Sequence, residues 1–200
     1  IALSETGVDC DEVERLVQDP SVKGMIFVPK YANPDGCVYS DEVLDRLARM
    51  KTAAGDFKFF CDNAYGVHDL YGYRQSASLF KLAKRCGTQE RVYTFMSTSK
   101  ITYAGGGVSF VACAPAQMAQ IRDRMSYEVI CYDKVNQLRH ARFLQSPEAL
   151  LAYMERHAQI LRPKFELVDQ ILTKELADCG FARWSRPRGG YFVSLDLAPN

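Results

Sequence analysis

The sequence predicts an α/β protein in which a mostly parallel sheet is covered by helices on both faces. Short apolar runs typical of buried strands alternate with segments that show the apolar periodicity of helices. The last stretch, RPRGGYFVSLD, changes to alternation with a period of two, which indicates the opening strand of a smaller α+β unit. We place the boundary so that residues 1–146 belong to the larger domain, and residues 147–200 form a connecting helix and the start of the smaller one.

The first two predicted strands lie on either side of a helix. Residues 24–28 are a short apolar run, and the loop after them contains the turn pairs Asn-Pro and Asp-Gly. A helix is predicted to begin after Ser40, a residue type that caps helices, and its apolar positions continue to Gly55. Residues 57–61 then form the second strand, which ends at Asp62.

The rest of the larger domain continues the alternation. Residues 77–86 have a helical pattern, and residues 91–96 and 108–113 are predicted as the third and fourth strands. The following pattern is helical over a long distance. Residues 147–180 have room for one long helix, which Pro163 is expected to kink or split.

The composition excludes several classes of function. The chain of 200 residues has a net charge of +1 with acidic and basic residues interspersed, so we expect neither a nucleic-acid face nor a membrane-binding segment. No apolar run is long enough to cross a membrane. The seven cysteines are scattered and never form a C-x-x-C pair, which predicts reduced thiols in a cytoplasmic protein and no zinc site.

Polar side chains follow the ends of three predicted strands. Because ligands of open α/β sheets bind beyond the carboxyl ends of the strands, we expect these side chains to meet in one crevice. The six candidates are Asn33, Asp62, Tyr65, Ser97, Ser99 and Lys100.

The chemistry of this set fits pyridoxal 5'-phosphate. The cofactor needs a primary amine to form a Schiff base with its aldehyde, and Lys100 is the candidate. Its ring accepts electrons while the ring nitrogen stays protonated, a state that the carboxylate of Asp62 would favour. Asn33 and Tyr65 could hydrogen-bond the phenolic oxygen of the ring. The hydroxyls of Ser97 and Ser99 could bind phosphate oxygens.

Simpler structural interpretations stay open for several of these residues. Asp62 could cap a helix, and Tyr65 could pack in the core. The glycines at 105–107 could permit a tight entry into the next strand or let the backbone approach a phosphate. We expect His68 to pack or hydrogen-bond near the cofactor loop. The two arginines of RPRGGYFVSLD are left out of the site because exposed loop arginines are common.

Three segments, VPKYANPDG, CDNAYGVHDLY and STSKITYAGGG, resemble the fold-type I pyridoxal-phosphate aminotransferases of class I/II. They are most similar to the bacterial aspartate aminotransferase subgroup called type Ic, and the resemblance covers nearly the whole chain. It implies that Lys100 forms the Schiff base and that Asp62 pairs with the pyridine nitrogen. It further implies that Tyr65 and Asn33 contact the phenolic oxygen and that Ser97 holds phosphate.

The chain departs from the family in two respects. Many members have an arginine that clamps the phosphate about eight positions after the lysine, where this sequence has Val108. The family's chains are also about twice as long, so we expect a fragment that is inactive alone. The ring-stacking aromatic, a phosphate-binding turn and the arginine for the substrate carboxylate would lie outside it. The resemblance also implies a homodimer with active sites at the subunit interface.

The expected function of the intact protein is transfer of an amino group, with aspartate as the expected donor, to a 2-oxo acid such as 2-oxoglutarate by a ping-pong route. Two alternatives stay open. Aminotransferase-like domains also occur as non-catalytic ligand sensors in transcriptional regulators. The same fold also supports lyase and racemase reactions, which differ in their substrate contacts.

Overall fold

The computed structural model describes residues 1–198 and contains eight strands and six α-helices within that range. The strands are β1 (Leu3–Ser4), β2 (Gly7–Val8), β3 (Gly24–Phe27), β4 (Lys58–Asp62), β5 (Val92–Ser97), β6 (Ser109–Ala112), β7 (Ala182–Trp184) and β8 (Leu195–Leu197). The helices are α1 (Cys10–Leu16), α2 (Asp41–Arg49), α3 (Leu79–Arg85), α4 (Pro115–Glu128), α5 (Lys134–Leu144) and α6 (Pro147–Leu176).

A four-stranded sheet in the order β3-β4-β5-β6 forms the centre of the fold. Strands β3, β4 and β5 are parallel, and β6 pairs with β5 in the antiparallel direction. The predicted α/β class and all four predicted strands of the larger domain are confirmed, with ends that differ by at most one residue. The parallel strands point their carboxyl ends to one edge, which gathers the loops that follow them.

The core lies between one face of this sheet and the helices α2 and α3. Its fully buried side chains include Phe57 and Phe59 on the strand side and Leu44 and Leu47 on α2. On the opposite face the Phe60 ring stacks on the rings of Tyr93 and Phe95 in β5. Ile26 on the same face is 78% exposed in this chain.

Helix α2 begins where the sequence predicts and ends earlier. The Ser40 hydroxyl accepts a hydrogen bond from the Val43 amide, so it caps the helix. The predicted continuation to Gly55 is wrong, because Met50 leaves the helical region with a ψ of 133°. Helix α3 is capped by Ser78 in the same way.

Helix α6 runs for 30 residues without interruption, so the predicted split at Pro163 does not occur. The neighbouring Arg162 fastens this part of the helix to the loop after β4: its Nε donates to the Leu70 carbonyl at 2.6 Å, and its guanidinium pairs with Glu155. These contacts lie beside the turn in which Pro163 removes a backbone hydrogen bond.

The chain after α6 forms a short hairpin in which β7 and β8 are antiparallel. The strand predicted from Tyr191 onward begins only at Leu195, so this prediction is wrong for residues 191–194. The backbone before Tyr191 hydrogen-bonds the loop after β4 instead, from Leu70 N–H to the Arg188 carbonyl and from Gly190 N–H to the His68 carbonyl. Residues 199 and 200, which belong to the predicted second unit, lie outside the described residues.

Within residues 1–198, no helix combines the length and the apolar character that a membrane crossing requires. The same part of the chain contains no group of three or more histidine, cysteine or acidic side chains placed to hold a metal ion.

Candidate active site

Three loops meet at the carboxyl edge of the parallel strands. Asn33 lies on the loop after β3, Asp62 is the last residue of β4 with Tyr65 in the turn behind it, and Ser97 is the last residue of β5. The register places Asp62 opposite Phe95, and the Asn63 amide donates to the Phe95 carbonyl at 2.8 Å. The end of β4 is therefore tied to β5 two residues before Ser97.

The amine of Lys100 lies over the ring of Tyr65, with 5.1 Å between Nζ and the ring centroid. Lys100 is exposed in this chain, whereas Tyr65 is buried. Burial raises the pKa of the Tyr65 hydroxyl, and the negative charge of Asp62 raises it further. The structure thus brings Lys100, Tyr65 and Asp62 together at one end of the sheet.

Two serine hydroxyls stand side by side at the end of β5. The Oγ atoms of Ser97 and Ser99 are 2.8 Å apart, and the Ser97 Oγ also accepts the Ser99 amide at 3.1 Å. Thr98 lies between them, is buried, and makes two hydrogen bonds with the backbone of Val108. The Thr98 amide donates to the Val108 carbonyl, and the Val108 amide donates to the Thr98 Oγ1. Val108, where many members of the family have an arginine, therefore holds the serine turn through its main chain.

Gly107 permits the close packing of this serine turn. A Cβ added to Gly107 would lie 2.3 Å from the Ser99 Oγ and 2.9 Å from the Ser99 amide nitrogen. No side chain fits in that space without displacing Ser99. The glycine run thus allows a close approach of two backbone segments at Gly107, and the segment that Gly107 approaches is the serine turn.

Asn33 lies on the loop that follows β3. Its loop is closed by backbone hydrogen bonds from Ala32 N–H to Cys37 O and from Gly36 N–H to Ala32 O. Within residues 1–198 the Asn33 side chain makes no hydrogen bond to the other five candidates. The loop that carries it follows a parallel strand, so Asn33 belongs to the same edge of the sheet as the other candidates.

A buried ion pair, which our sequence analysis missed, joins the Asn33 loop to the Tyr65 loop. Lys30 Nζ donates to Asp69 Oδ2 at 2.8 Å, and the two side chains are only 4% and 3% exposed. The hydroxyl of Tyr31 and the amide of Arg74 both donate to the other oxygen, Asp69 Oδ1. Burial lowers the pKa of the Lys30 amine, and its hydrogen bond to Asp69 opposes this shift.

His68 is buried beside the lysine loop, and its Nε2 lies 3.1 Å from the Lys100 carbonyl oxygen. Burial lowers the pKa of His68. The hydrogen bond to the Lys100 carbonyl opposes this effect, the charges of His157 and Lys100 lower the pKa further, and Asp69 raises it. The expected packing of His68 near the candidate loop is what the structure shows.

The lowered pKa of His68 predicts a pH dependence of stability. The unfolded state has a histidine pKa of about 6.5, so below that pH it takes up a proton that the folded state resists. The contribution of neutral His68 to the free energy of unfolding is therefore complete above about pH 6.5. It decreases as the pH is lowered, by up to about 1.4 kcal/mol per pH unit for one group. Urea unfolding of the whole protein at pH 7.5 and 5.5 should show a larger loss in wild type than in His68→Gln. Equal losses would contradict this reading.

The two arginines left out of the site have partners elsewhere. Arg186 Nε donates to Asp169 on α6 at 2.7 Å, and the Arg188 guanidinium lies 5.0 Å from the centroid of the Tyr71 ring. Neither contact involves any of the six candidates.

Comparison with known proteins identifies the family. The sequence profile described as "Aspartate amino-transferase" matches residues 1–199. An aspartate aminotransferase of Corynebacterium glutamicum is 42% identical over 200 residues, which are 100% of this chain and 46% of that protein. The crystal structure of an aspartate transaminase from the same species superposes with a TM-score of 0.97 at 42% identity, covering 100% of this chain and 47% of that one.

A more distant structure shares the fold. The α-aminoadipate aminotransferase of Thermus thermophilus, solved with N-(5'-phosphopyridoxyl)-L-leucine, matches with a TM-score of 0.83 at 24% identity, over 100% of this chain and 50% of that one. The chain spans about half the length of the curated relatives it matches. The profile match covers 199 of the 200 residues of this chain. The chain belongs to the aspartate aminotransferase family.

Proposed function

We propose that the whole protein is an aminotransferase that uses pyridoxal 5'-phosphate, and that this chain supplies its lysine loop. The observation that supports this most strongly is the position of the Lys100 amine above the buried Tyr65 ring, beside Asp62. The residues present fit the cofactor, because an amine, a carboxylate and a phenol stand together and the paired hydroxyls of Ser97 and Ser99 lie on the same turn. When bound, the cofactor supplies an aldehyde that takes up the amino group and a ring that takes up electrons.

Lys100 would act at two stages. Its amine would hold the cofactor covalently before substrate arrives. Once released by the substrate amine, the same nitrogen would carry a proton away from the substrate's α-carbon. Lys100 is exposed in this chain, so its amine is accessible from solvent to both ligands.

The other candidates would orient and anchor the cofactor. Asp62 would hold a proton on the ring nitrogen by charge pairing. Tyr65 and Asn33 would hydrogen-bond the phenolic oxygen, and the hydroxyls of Ser97 and Ser99 would bind phosphate oxygens. The support for the phosphate role is the 2.8 Å pair of hydroxyls on a turn whose backbone is fixed by Thr98.

For the substrates, we propose aspartate as donor and 2-oxoglutarate as acceptor in a ping-pong sequence. The relative that is 42% identical bears the name aspartate aminotransferase, which supports aspartate as the donor.

We also propose a cytoplasmic homodimer whose larger domain ends near residue 146. The start of α6 at Pro147 supports this boundary. Tyr127 at the end of α4 and Ile130 just after it are exposed apolar residues, which is typical of a surface that another protein surface covers.

The two half-reactions test this proposal separately. Aspartate alone should change the absorbance spectrum of the cofactor-loaded whole protein, and 2-oxoglutarate added after removal of aspartate should restore it. Lysine, which has no second carboxylate, is the matched donor that should leave the spectrum unchanged. A spectrum that does not respond to aspartate, or that responds equally to lysine, would refute the proposed substrate.

A glycine substitution tests the serine turn. Gly107→Ala should displace Ser99 and weaken cofactor binding by about tenfold, because overpacking typically costs 1–3 kcal/mol. Gly55→Ala is the matched control, since a Cβ there meets nothing within 4 Å. Fluorescence titration of both variants of the whole protein with cofactor measures the affinity. An unchanged affinity in Gly107→Ala would show that this turn does not contact the cofactor.

A further inference from the structure

The main-chain carbonyl of Lys100 accepts hydrogen bonds from two side chains that belong to different parts of the fold. His68 Nε2 lies 3.1 Å from the carbonyl oxygen, and the Tyr191 hydroxyl donates to the same oxygen at 3.1 Å. A carbonyl only accepts hydrogen bonds, so Nε2 must be the protonated ring nitrogen of His68. The other nitrogen, Nδ1, is buried without a partner among residues 1–198. The geometry therefore selects one tautomer.

The two donors and Tyr65 form a cluster of three aromatic rings. The ring centroids of Tyr65 and His68 are 5.6 Å apart, those of Tyr65 and Tyr191 are 6.1 Å apart, and those of His68 and Tyr191 are 5.3 Å apart. All three pairs meet edge to face, which is a favourable arrangement for aromatic rings. Because the Lys100 amine lies over Tyr65, this three-ring cluster contacts both ends of the lysine residue.

The segment that carries Tyr191 is itself fixed in place. The Gly190 amide donates to the His68 carbonyl at 2.9 Å. A Cβ on Gly189 would lie 2.2 Å from the Tyr31 ring and 2.5 Å from the His68 carbonyl oxygen, so only glycine allows this approach. The Tyr191 hydroxyl is thus held at the Lys100 carbonyl by backbone contacts on the residues just before it.

We propose that His68 and Tyr191 are positioning residues that fix the main chain of Lys100, so that its amine reaches the cofactor aldehyde from a set direction. This inference rests on the proposed function. Both hydrogen bonds end on the carbonyl and leave the amine free to react. Tyr191 lies after α6, in the part that we propose begins the smaller domain, so it also gives that part a direct contact with the lysine residue.

The alternative is that both side chains only fill space, and conservative variants separate the two roles. Tyr191→Phe keeps the ring and removes only the hydroxyl. His68→Gln keeps an N–H donor near the position of Nε2, whereas His68→Leu keeps bulk without a donor. Tyr93→Phe is the matched control, because Tyr93 lies on β5 and packs against Phe60.

The rate at which Lys100 captures the cofactor measures its positioning. The whole protein is freed of cofactor and mixed with pyridoxal 5'-phosphate, and borohydride stops the reaction at intervals by fixing the covalent product. Peptide mass spectrometry then gives the fraction of Lys100 that is modified. We expect Tyr191→Phe and His68→Leu to slow capture about three- to tenfold, the effect of one lost hydrogen bond. His68→Gln and Tyr93→Phe should stay within about twofold of wild type.

The outcomes separate this inference from the proposed function. If wild type is modified at Lys100 and Tyr191→Phe reacts equally fast, the positioning role is overturned while the proposed function stands. If His68→Gln is slowed as much as His68→Leu, the hydrogen bond from His68 is not what matters. If wild type shows no product on Lys100, both proposals fail. Should His68→Leu not fold, the comparison of Tyr191→Phe with Tyr93→Phe decides alone.

Discussion

Replacement of Lys100 by alanine should reduce amino transfer by the whole protein by about 10⁴-fold or more, the upper range for loss of a positioned proton-transfer group. The substitution removes the amine that lies over Tyr65 while leaving Asp62 and the serine pair in place. Cofactor binding without a covalent bond should therefore survive in weakened form. Steady-state assays with aspartate and 2-oxoglutarate measure the activity, and the absorbance spectrum reports whether the cofactor is still attached.

The control for this variant is Lys81→Ala, which removes an exposed lysine from α3. Its activity and spectrum should equal those of wild type. If Lys100→Ala kept the spectrum of a covalently attached cofactor, or more than a small percentage of the activity, another amine would be the attachment point. The assignment of Lys100 would then be wrong.

The second large effect is expected from the buried ion pair between Lys30 and Asp69. Lys30→Met should lower the free energy of unfolding of the whole protein by about 3 kcal/mol, because it leaves a buried carboxylate without its cation. The Tyr31 hydroxyl and the Arg74 amide still donate to Asp69, which keeps the loss at the lower end for such pairs. Urea unfolding measures the change.

A second lysine offers a matched comparison. Lys23 pairs with Asp56 at the same Nζ–O distance of 2.8 Å, but both side chains are more than half exposed. Lys23→Met should therefore change the free energy of unfolding by less than about 1 kcal/mol. Equal effects of the two substitutions would show that burial does not set the strength of the Lys30 pair. Lys30→Met should also weaken cofactor binding, because the pair joins the loop of Asn33 to the loop of Tyr65.

The strands and the polar residues at their carboxyl ends could be predicted from the sequence because their signals are local. A run of apolar residues that ends in Asp62 or Ser97 predicts a strand and also shows which polar side chain lies at its end. The topology of parallel strands then brings these ends to one edge without any knowledge of long-range contacts.

The contacts that hold the site together could not be predicted in this way. Lys30 and Asp69 are 39 residues apart, and Tyr191 reaches the carbonyl of Lys100 across 91 residues. No periodic pattern in the sequence predicts either of these contacts. The alternation from Tyr191 onward even predicted a strand, whereas the backbone before it is docked against His68. Tertiary contacts overrode a local preference there.

The expected split at Pro163, which does not occur, was likewise based on a local signal. A proline inside a helix is a local signal for a kink or break. The residue next to it, Arg162, hydrogen-bonds Leu70, which is 92 residues away. Helix α6 is continuous at Pro163, and the long-range contact beside this position could not be predicted from the local sequence.

A crystal structure of the whole protein with pyridoxal 5'-phosphate tests the central claim most directly. We expect electron density that is continuous from Lys100 Nζ to the aldehyde carbon of the cofactor, with the Asp62 carboxylate about 3 Å from the ring nitrogen. A cofactor bound elsewhere, or a ring nitrogen that faces away from Asp62, would contradict it.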